Sequence, residues 1–382
     1  MPVETVTVRF SSLDHPTVYD NQSFLNLGGD SIGIYTGQLQ LRPVCGGEVG
    51  EGDPVPPYHR FAFISHLDEP VLVHGQPSYP DDQHAFNELL GAYAMYGAMP
   101  VEVGSGTRIV VSDTLPERMP SVIVHALEGS LETLAGSFEH RLETPPVLML
   151  VERADVGSGI AFRTGVLDNQ IAVEIGGDQL FSDDPDMMRR VDQFVSRLMV
   201  HEAVHLWNGG VVTNSEVLES WMHEGSADLL SWLSLLEQGL IDQAYREGRM
   251  TLAFNQCASD LENGPLVEAL SRCRYDTYYG CGALMNLVVG HAVDVEDMSR
   301  GLFGFWAELI RRGLANEGQS YSTREYFELM DEAGVPASIR AWMDRVRLEA
   351  LENPAEVLSG PLETAGWRVE NSEDGYRLTL TQ

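Results

Sequence analysis

The spacing of apolar residues predicts strands in the early part of the chain. Apolar and polar positions alternate over 5–10 and 37–44, and short apolar runs at 61–65 and 71–74 are bounded by Pro, Gly or Asp. Alternation with a period of two is typical of half-buried strands. We therefore expect an N-terminal β-rich domain, with a long loop at 45–58 and a short helix at 86–96.

After Pro120 the apolar spacing changes to that of helices. Apolar residues recur every three or four positions from 124 to 138, which places them on one face of a helix. Short apolar runs at 147–151 and 171–175 predict two strands. A small sheet is therefore expected ahead of the helices that follow.

Two further helices are predicted in the middle of the chain. Asp184 followed by Pro185 is typical of a helix start, because aspartate accepts a free backbone N–H and proline lacks one. This helix is predicted to end at 208–209, and a second one is predicted at 216–236.

The remaining pattern predicts four more helices, at 283–292, at 298–314, after the capping box at 322–325, and at 337–351. It also predicts a closing β-hairpin at 367–380. The expected fold class is α+β. We expect three parts, an N-terminal β-rich domain at 1–117, a catalytic domain at 118–295, and C-terminal helices with the hairpin at 296–382.

The segment HEAVH at 201–205 carries the strongest chemical signal. Residues four apart share one face of a helix, so the imidazoles of His201 and His205 can bind one ion with Glu202 beside it. Bound zinc lowers the pKa of its water towards about 7, and a nearby glutamate can take up the proton. Glu202 is the candidate general base. The alternative is a pair of ordinary helix histidines.

Downstream of this motif the sequence resembles the gluzincin metallopeptidases, specifically the alanyl-aminopeptidase family. That family has His-Glu-x-x-His, eighteen residues, and then Glu-Gly; here eighteen residues separate His205 from Glu224, and Gly225 follows. The segment HLWN at 205–208 is similar to the glycyl-aminopeptidase branch. The resemblance implies a thermolysin-like, mainly helical domain that binds one Zn²⁺ through His201, His205 and Glu224, with a fourth position open for water.

The resemblance also implies two supporting residues. The segment EGSAD at 224–228 is similar to the thermolysin-like Glu-x-x-x-Asp, so Asp228 is expected to orient His201; a solvated helix aspartate is the alternative. The segment YGCGAL at 279–284 resembles the aminopeptidase Tyr-x-x-Gly-Ala-Leu, whose tyrosine hydroxyl polarises the substrate carbonyl. This resemblance assigns oxyanion stabilisation to Tyr279, with Tyr275 and Tyr278 as alternative candidates.

One motif of the alanyl-aminopeptidase family is missing. Family members carry Gly-x-Met-Glu-Asn on an edge strand before the zinc helix, and its glutamate binds the free amine of the substrate. The segment RTGVLDN at 163–169 has neither the methionine nor the glutamate. Glu174 is a candidate substitute, with a plain surface glutamate as the alternative. An aminopeptidase is therefore the first expectation, an endopeptidase or other amide hydrolase the second, and a catalytically silent zinc-binding scaffold the third.

The net charge of the chain limits which classes of binding partner are expected. The formal net charge is −33, from 57 acidic and 24 basic residues, which argues against nucleic acids or anionic membranes as partners. Every basic residue is arginine, which excludes Schiff-base and P-loop chemistry that needs lysine. The expected partner is a peptide or a small amide substrate, and the sequence predicts no particular oligomeric state.

Cysteine usage and apolar runs bear on the compartment. The four cysteines include no Cys-x-x-Cys, so free buried thiols are the default expectation, and a bridge from Cys257 to Cys273 would require an oxidising compartment. No apolar run reaches the length of a membrane span, and the first residues lack a signal-peptide pattern. A cytoplasmic location is expected, or a secreted or periplasmic one if an upstream segment is missing.

Overall fold

The computed structural model describes most of the chain from residue 107 onwards and short stretches before it. The described residues are 24–28, 31–35, 60–61, 71–73, 76–79, 81–82, 84–85, 92–97, 101–103, 107–112, 114–153, 156–167, 169–373 and 375–381. The strands predicted at 5–10 and 37–44 and the loop predicted at 45–58 lie outside these ranges.

The described strands form small sheets. In chain order they are β1 (Phe24–Gly28), β2 (Ser31–Tyr35), β3 (Arg60–Phe61), β4 (Val71–Val73), β5 (Gln76–Ser78), β6 (His84–Ala85), β7 (Tyr93–Tyr96), β8 (Val101–Val103), β9 (Arg108–Val111), β10 (Val147–Glu152), β11 (Ala161–Leu167), β12 (Gln170–Gly176), β13 (Thr213–Asn214), β14 (Ser320–Tyr321), β15 (Trp367–Ser372) and β16 (Gly375–Leu380).

Nine α-helices lie in the described part of the chain. They are α1 (Arg118–Ser137), α2 (Pro185–His205), α3 (Ser220–Glu237), α4 (Gln243–Leu261), α5 (Thr277–Val293), α6 (Met298–Ala315), α7 (Thr323–Glu332), α8 (Ala337–Leu348) and α9 (Pro354–Thr364). A π-helical turn at Leu206–Val211 continues α2, and a 3₁₀ turn at Val217–Glu219 precedes α3. The predicted α+β class is confirmed.

Two five-stranded sheets lie in the first half of the described chain. One has the order β1-β2-β7-β4-β5, and the other has the order β11-β12-β10-β9-β8. In the second sheet β10 is parallel to both β9 and β12, whereas β11 pairs antiparallel with β12 and forms one edge. This edge lies beside α2, so the second sheet is the one that borders the candidate site.

The helix predicted at 86–96 is wrong at its C-terminal end, because Tyr93–Tyr96 is strand β7. Tyr93 and Met95 pack into one buried cluster with residues of the second sheet, whereas Ala92 and Ala94 pack with Val71 and Val73 in another. Successive side chains therefore point in opposite directions, as in a strand buried on both faces. An apolar run of this kind carries no period-two signal.

Helix packing brings α3 and α5 unusually close together. A Cβ atom at Gly225 would lie 2.2 Å from the carbonyl carbon of Gly282, and one at Gly282 would lie 2.2 Å from the carbonyl oxygen of Trp221. No larger residue fits at either position without a backbone shift. The glycine that follows Glu224 therefore allows α5 to approach the helix that carries this glutamate.

Several of the later elements match the sequence pattern. The N–H of Asp186 donates to the Asp184 carboxylate at 3.0 Å, which confirms the predicted cap of α2. Ser322 caps α7, and β15 and β16 form the predicted hairpin. The hairpin is held on α4 by Asn255, whose side chain donates to the carbonyl oxygen of Tyr376 at 2.7 Å. Helices α4 and α9 were not predicted.

The cysteine expectation requires correction. Cys257 on α4 and Cys281 on α5 form a disulfide, and Cys273 is free and exposed. The two bridged cysteines are buried within the core cluster, so helix packing brings them together although 24 positions separate them in the chain. Neither free buried thiols nor a bridge to Cys273 describes this arrangement.

A single core cluster runs through the helical part, from Ile109 to Leu378. The predicted division into 1–117, 118–295 and 296–382 stays a prediction. Each helix in the described residues is either too short or too polar to cross a bilayer.

Candidate metal centre

The last turn of α2 and the first turns of α3 bring three potential ligands to one point. His201 Nε2 lies 3.4 Å from Glu224 Oε2, His205 Nε2 lies 3.3 Å from the same oxygen, and the two Nε2 atoms are 3.0 Å apart. All three side chains are buried. The α-helical repeat sets the two imidazoles on one face, and the π-helical turn with the 3₁₀ turn brings α3 back across them.

Both imidazoles are fixed from behind by hydrogen bonds at Nδ1. His201 Nδ1–H donates to Asp228 Oδ1 at 3.0 Å, and His205 Nδ1–H donates to Asn208 Oδ1 at 2.8 Å. The Asn208 amide is itself oriented, because its Nδ2 donates to the carbonyl oxygen of His223 at 3.0 Å. With the protons on Nδ1, each Nε2 presents a lone pair towards Glu224.

These lone pairs make the group fit a cation. Glu224 Oε2 is buried and has no hydrogen-bond partner among the described residues, although two imidazole nitrogens lie within 3.4 Å of it. In their unprotonated forms these three atoms are acceptors that repel one another, and a shared proton or metal ion removes that conflict. His201, His205 and Glu224 are therefore placed to hold one metal ion.

Local electrostatics favour the charged carboxylates. Burial raises the pKa of Glu224, but the imidazoles of His205 and His201 outweigh burial and hold that pKa well below its usual range. Burial likewise lowers the pKa of His201, but the carboxylates of Asp228 and Glu224 outweigh it and raise the pKa to about 10. In the metal-free chain the group therefore attracts a cation, either a proton or a metal.

His223 packs against the group without joining it. Its ring stacks on His205 at a centroid distance of 4.1 Å, and its Nδ1–H donates to the carbonyl oxygen of Asn208 at 3.1 Å. Burial, together with the neighbouring His205, lowers the pKa of His223 to about 3, so this ring is neutral. It holds the orientation of His205.

The two predicted catalytic side chains lie on the open side of the group. Glu202 and Tyr279 both line a cavity of about 310 Å³, together with His201. The Tyr279 ring stacks on His201 at a centroid distance of 5.5 Å. Burial, with the Glu224 carboxylate next in effect, raises the pKa of Tyr279 well above its usual range, so its hydroxyl keeps its proton.

The other two tyrosines of this segment occupy different places. Tyr275 donates its hydroxyl to Glu224 Oε1 at 2.9 Å, which leaves Oε2 to face the imidazoles. Tyr278 is fully buried in the core. The Tyr275 and Tyr279 rings are neighbours, with centroids 6.1 Å apart, but Tyr279 is the one of the three that stacks on His201 and lines the cavity. Tyr275 was considered only as a rival to Tyr279, and its contact with Glu224 was not predicted.

The cavity is bounded by the edge strand β11 on one side and by α4 on another. Phe162 and Thr164 of β11 line it, as do Leu252 and Ala253 of α4. The wall next to His201 is formed by Arg197, Asp228, Trp232 and Arg249. Sequence reasoning missed both arginines and the contribution of α4.

A larger groove of about 730 Å³ lies between α8 and α9, and its lining contains none of the metal-ligand group.

Glu174 is not placed to act in this cavity. It lies on β12 between Val173 and Ile175, which pack into the core cluster that contains α2. Side chains alternate along a strand, so Glu174 lies on the opposite face, where its charge raises the pKa of Tyr93. Its candidacy as a substitute amine anchor is therefore wrong.

Comparison with known proteins shows the fold alone. A crystal structure of an aminopeptidase N family protein from Idiomarina loihiensis is similar, with a TM-score of 0.58 at 15% sequence identity. The match covers 80% of this chain and 56% of that one, so this chain spans little more than half of that protein's length. No protein-family model and no curated protein matches the sequence.

Proposed function

We propose that this protein is a zinc-dependent metallopeptidase of the gluzincin type, with a thermolysin-like catalytic domain at 118–295. The observation that carries the proposal is the convergence of three buried ligand atoms, with Oε2 of Glu224 unpartnered among the described residues. Two imidazoles and one carboxylate form the ligand set of a catalytic zinc site, because a fourth coordination position stays open. One Zn²⁺ per chain would be held by His201, His205 and Glu224.

The proposed chemistry divides between the ion and the chain. When bound, zinc supplies Lewis acidity and lowers the pKa of water to about 7. Glu202 accepts a proton from the attacking water and later passes it to the leaving nitrogen. The Tyr279 hydroxyl donates to the substrate carbonyl oxygen as negative charge develops there. Asp228 and Asn208 keep the two imidazoles oriented.

An aminopeptidase is the first specificity that we propose. The spacing from His205 to Glu224 supports it, as does similarity to a structure described as an aminopeptidase N family protein. One observation favours an endopeptidase or other amide hydrolase instead. Segment 163–169, which contains most of β11, has no glutamate for a substrate amine. Glu174 lies on β12 and faces away from the cavity.

We also infer an oxidising compartment rather than the cytoplasm. The Cys257–Cys281 disulfide supports this inference, since structural disulfides persist outside reducing compartments. Alkylation of the protein from its native cells, followed by mass spectrometry without reductant, tests it. Modification of Cys257 and Cys281 in that sample would restore the cytoplasmic expectation.

The test of function is hydrolysis of matched fluorogenic peptides with free and blocked amino ends. The protein is metal-analysed beforehand, then assayed as purified, after chelation and after zinc add-back. Chelator-sensitive cleavage of free-amine peptides alone supports an aminopeptidase, and cleavage of blocked peptides supports the endopeptidase. One zinc per chain with no turnover on any peptide would overturn the peptidase proposal in favour of a zinc-binding scaffold.

A further inference from the structure

Two arginines form the cavity wall beside the ligand His201. Arg197 precedes His201 by one turn on α2, and Arg249 reaches the same wall from α4. The Arg197 side chain is only 9% exposed, and the Nε atoms of both arginines are buried without a hydrogen-bond partner among the described residues. Buried guanidinium donors without acceptors are costly. The Nε of Arg246 on α4 is also without a partner among the described residues, but Arg246 does not line the cavity, whereas Arg197 and Arg249 do.

The two arginines and His201 share the carboxylate of Asp228. Arg197 donates to Asp228 Oδ1 at 3.2 Å, and Asp228 is also the partner of His201. The Arg249 guanidinium lies over the Trp232 ring at 5.8 Å. Burial, followed by the like charge of Arg197, lowers the pKa of Arg249, and the carboxylate of Asp228 opposes that shift.

Two other charged residues of the cavity lining have a proposed catalytic role or an ion-pair partner. Glu202 is the proposed base, and Asp276 at the rim pairs with Arg274 at 3.6 Å and accepts from Gln256 at 3.0 Å. The chain as a whole is strongly acidic, with a formal net charge of −33. The two guanidinium groups therefore supply positive charge to a cavity whose lining also carries the carboxylates of Glu202, Asp228 and Asp276.

We propose that Arg249, with Arg197 behind it, binds a carboxylate of the substrate next to the scissile amide. The proposal rests on the proposed function and narrows its substrate class to peptides or amides with an acidic group at that position. A guanidinium presents parallel N–H donors that match the two oxygens of a carboxylate. The buried Trp232 ring beneath the Arg249 guanidinium reduces competition from water for these hydrogen bonds.

The kinetic test uses peptide pairs that differ only in a carboxylate. One set carries Glu or Gln on either side of the scissile bond, and another ends in a free carboxylate or a carboxamide one residue beyond it. Wild-type kcat/KM is expected to favour the carboxylate member of at least one pair by roughly tenfold to a hundredfold. Equal rates within every pair would overturn the proposal without any variant.

Two variants locate the effect. Arg249→Met keeps the apolar stem, and it is expected to abolish the preference for the carboxylate. Arg246→Met is the matched control, because Arg246 lies one turn earlier on α4, stacks on Trp367 at 5.5 Å and does not line the cavity. A preference that survives Arg249→Met, or that disappears equally in Arg246→Met, would contradict the proposal.

A binding measurement separates this proposal from the proposed function. Calorimetry compares succinate with succinamide on metal-analysed protein, so any contribution of the metal is common to both arginine variants. Succinate is expected to bind wild type and Arg246→Met roughly tenfold or more tighter than Arg249→Met, with no such difference for succinamide. If no peptide is cleaved but this pattern holds, the peptidase fails and the anion site stands. Equal succinate binding by all three proteins overturns the anion site.

Discussion

The metal-ligand group and the cavity wall beside it differ in how they are built. The ligands come from two helices, and each imidazole is held by a residue within one turn of a ligand, Asn208 for His205 and Asp228 after Glu224. The wall combines α2, α3, α4, α5 and the edge strand β11. Local helical geometry therefore places the three candidate ligands, whereas tertiary packing shapes the cavity beside them.

If this contrast is right, substitutions divide into two kinds. Changes in the ligand group, or in the residues hydrogen-bonded to it, alter metal affinity, and changes elsewhere around the cavity alter rate or stability while the metal stays bound.

The largest effect is expected from Glu224→Ala. Removing this carboxylate leaves two ligands, so zinc affinity is expected to fall by more than the roughly 10–100-fold typical of losing an outer hydrogen-bond partner. Competition with a chromogenic chelator measures the affinity. Glu237→Ala, an exposed glutamate on the same helix, is the control and is expected to bind zinc normally. Unchanged zinc affinity in Glu224→Ala would remove Glu224 from the ligand set.

Tyr279→Phe is expected to affect rate rather than metal. Loss of the hydroxyl should lower kcat by roughly 10²–10³-fold, as for other oxyanion donors, with zinc retained. Tyr275→Phe deletes the same atom type from the residue bound to Glu224. It is expected to weaken zinc binding and to reduce kcat less. The reverse pattern would exchange the roles of the two tyrosines.

Loss of the disulfide is expected to lower stability without removing the metal. The bridge closes a loop between residues 24 apart, so Cys257→Ala with Cys281→Ala should lose about 3 kcal/mol of unfolding free energy. Denaturant unfolding measures this loss, and Cys273→Ala is the control with an unbridged cysteine. If mild reduction of the disulfide released zinc while the protein was still folded, metal binding would depend on the packing of the cavity wall. That result would contradict the contrast between the two regions.

The smallest effect is expected from Asp228→Asn. An amide keeps the shape but removes the charge that orients His201 and pairs with Arg197. Zinc affinity is expected to fall by roughly 10–100-fold, measured by the same chelator competition. Exposed Asp183→Asn serves as the control. An unchanged affinity would assign Asp228 to the packing of Arg197 alone.

The same contrast explains which parts of the fold and of the candidate site could be predicted from the sequence. Spacing within helices predicted the positions of His201, His205 and Asp228, because a helical repeat fixes which residues share a face. The closing hairpin and the caps of α2 and α7 carry equally local signals.

The elements that were missed depend on packing between distant segments. The buried face of α4 includes Arg246, Cys257 and Asp260 among its apolar residues, so its apolar repeat is weak. Strand β7 is buried on both faces and lacks alternation. The pairing of Cys257 with Cys281 and the approach of Arg249 to Arg197 both require α4 to be in place.

The most direct test of the account is a comparison of wild type with Glu202→Gln, measured for zinc content and for peptide hydrolysis in the same preparation. Glutamine keeps the size of the side chain but cannot take up a proton from water. We expect one zinc per chain in both proteins and a kcat lower by roughly 10²–10⁴-fold in the variant. Full activity of zinc-loaded Glu202→Gln would contradict the account.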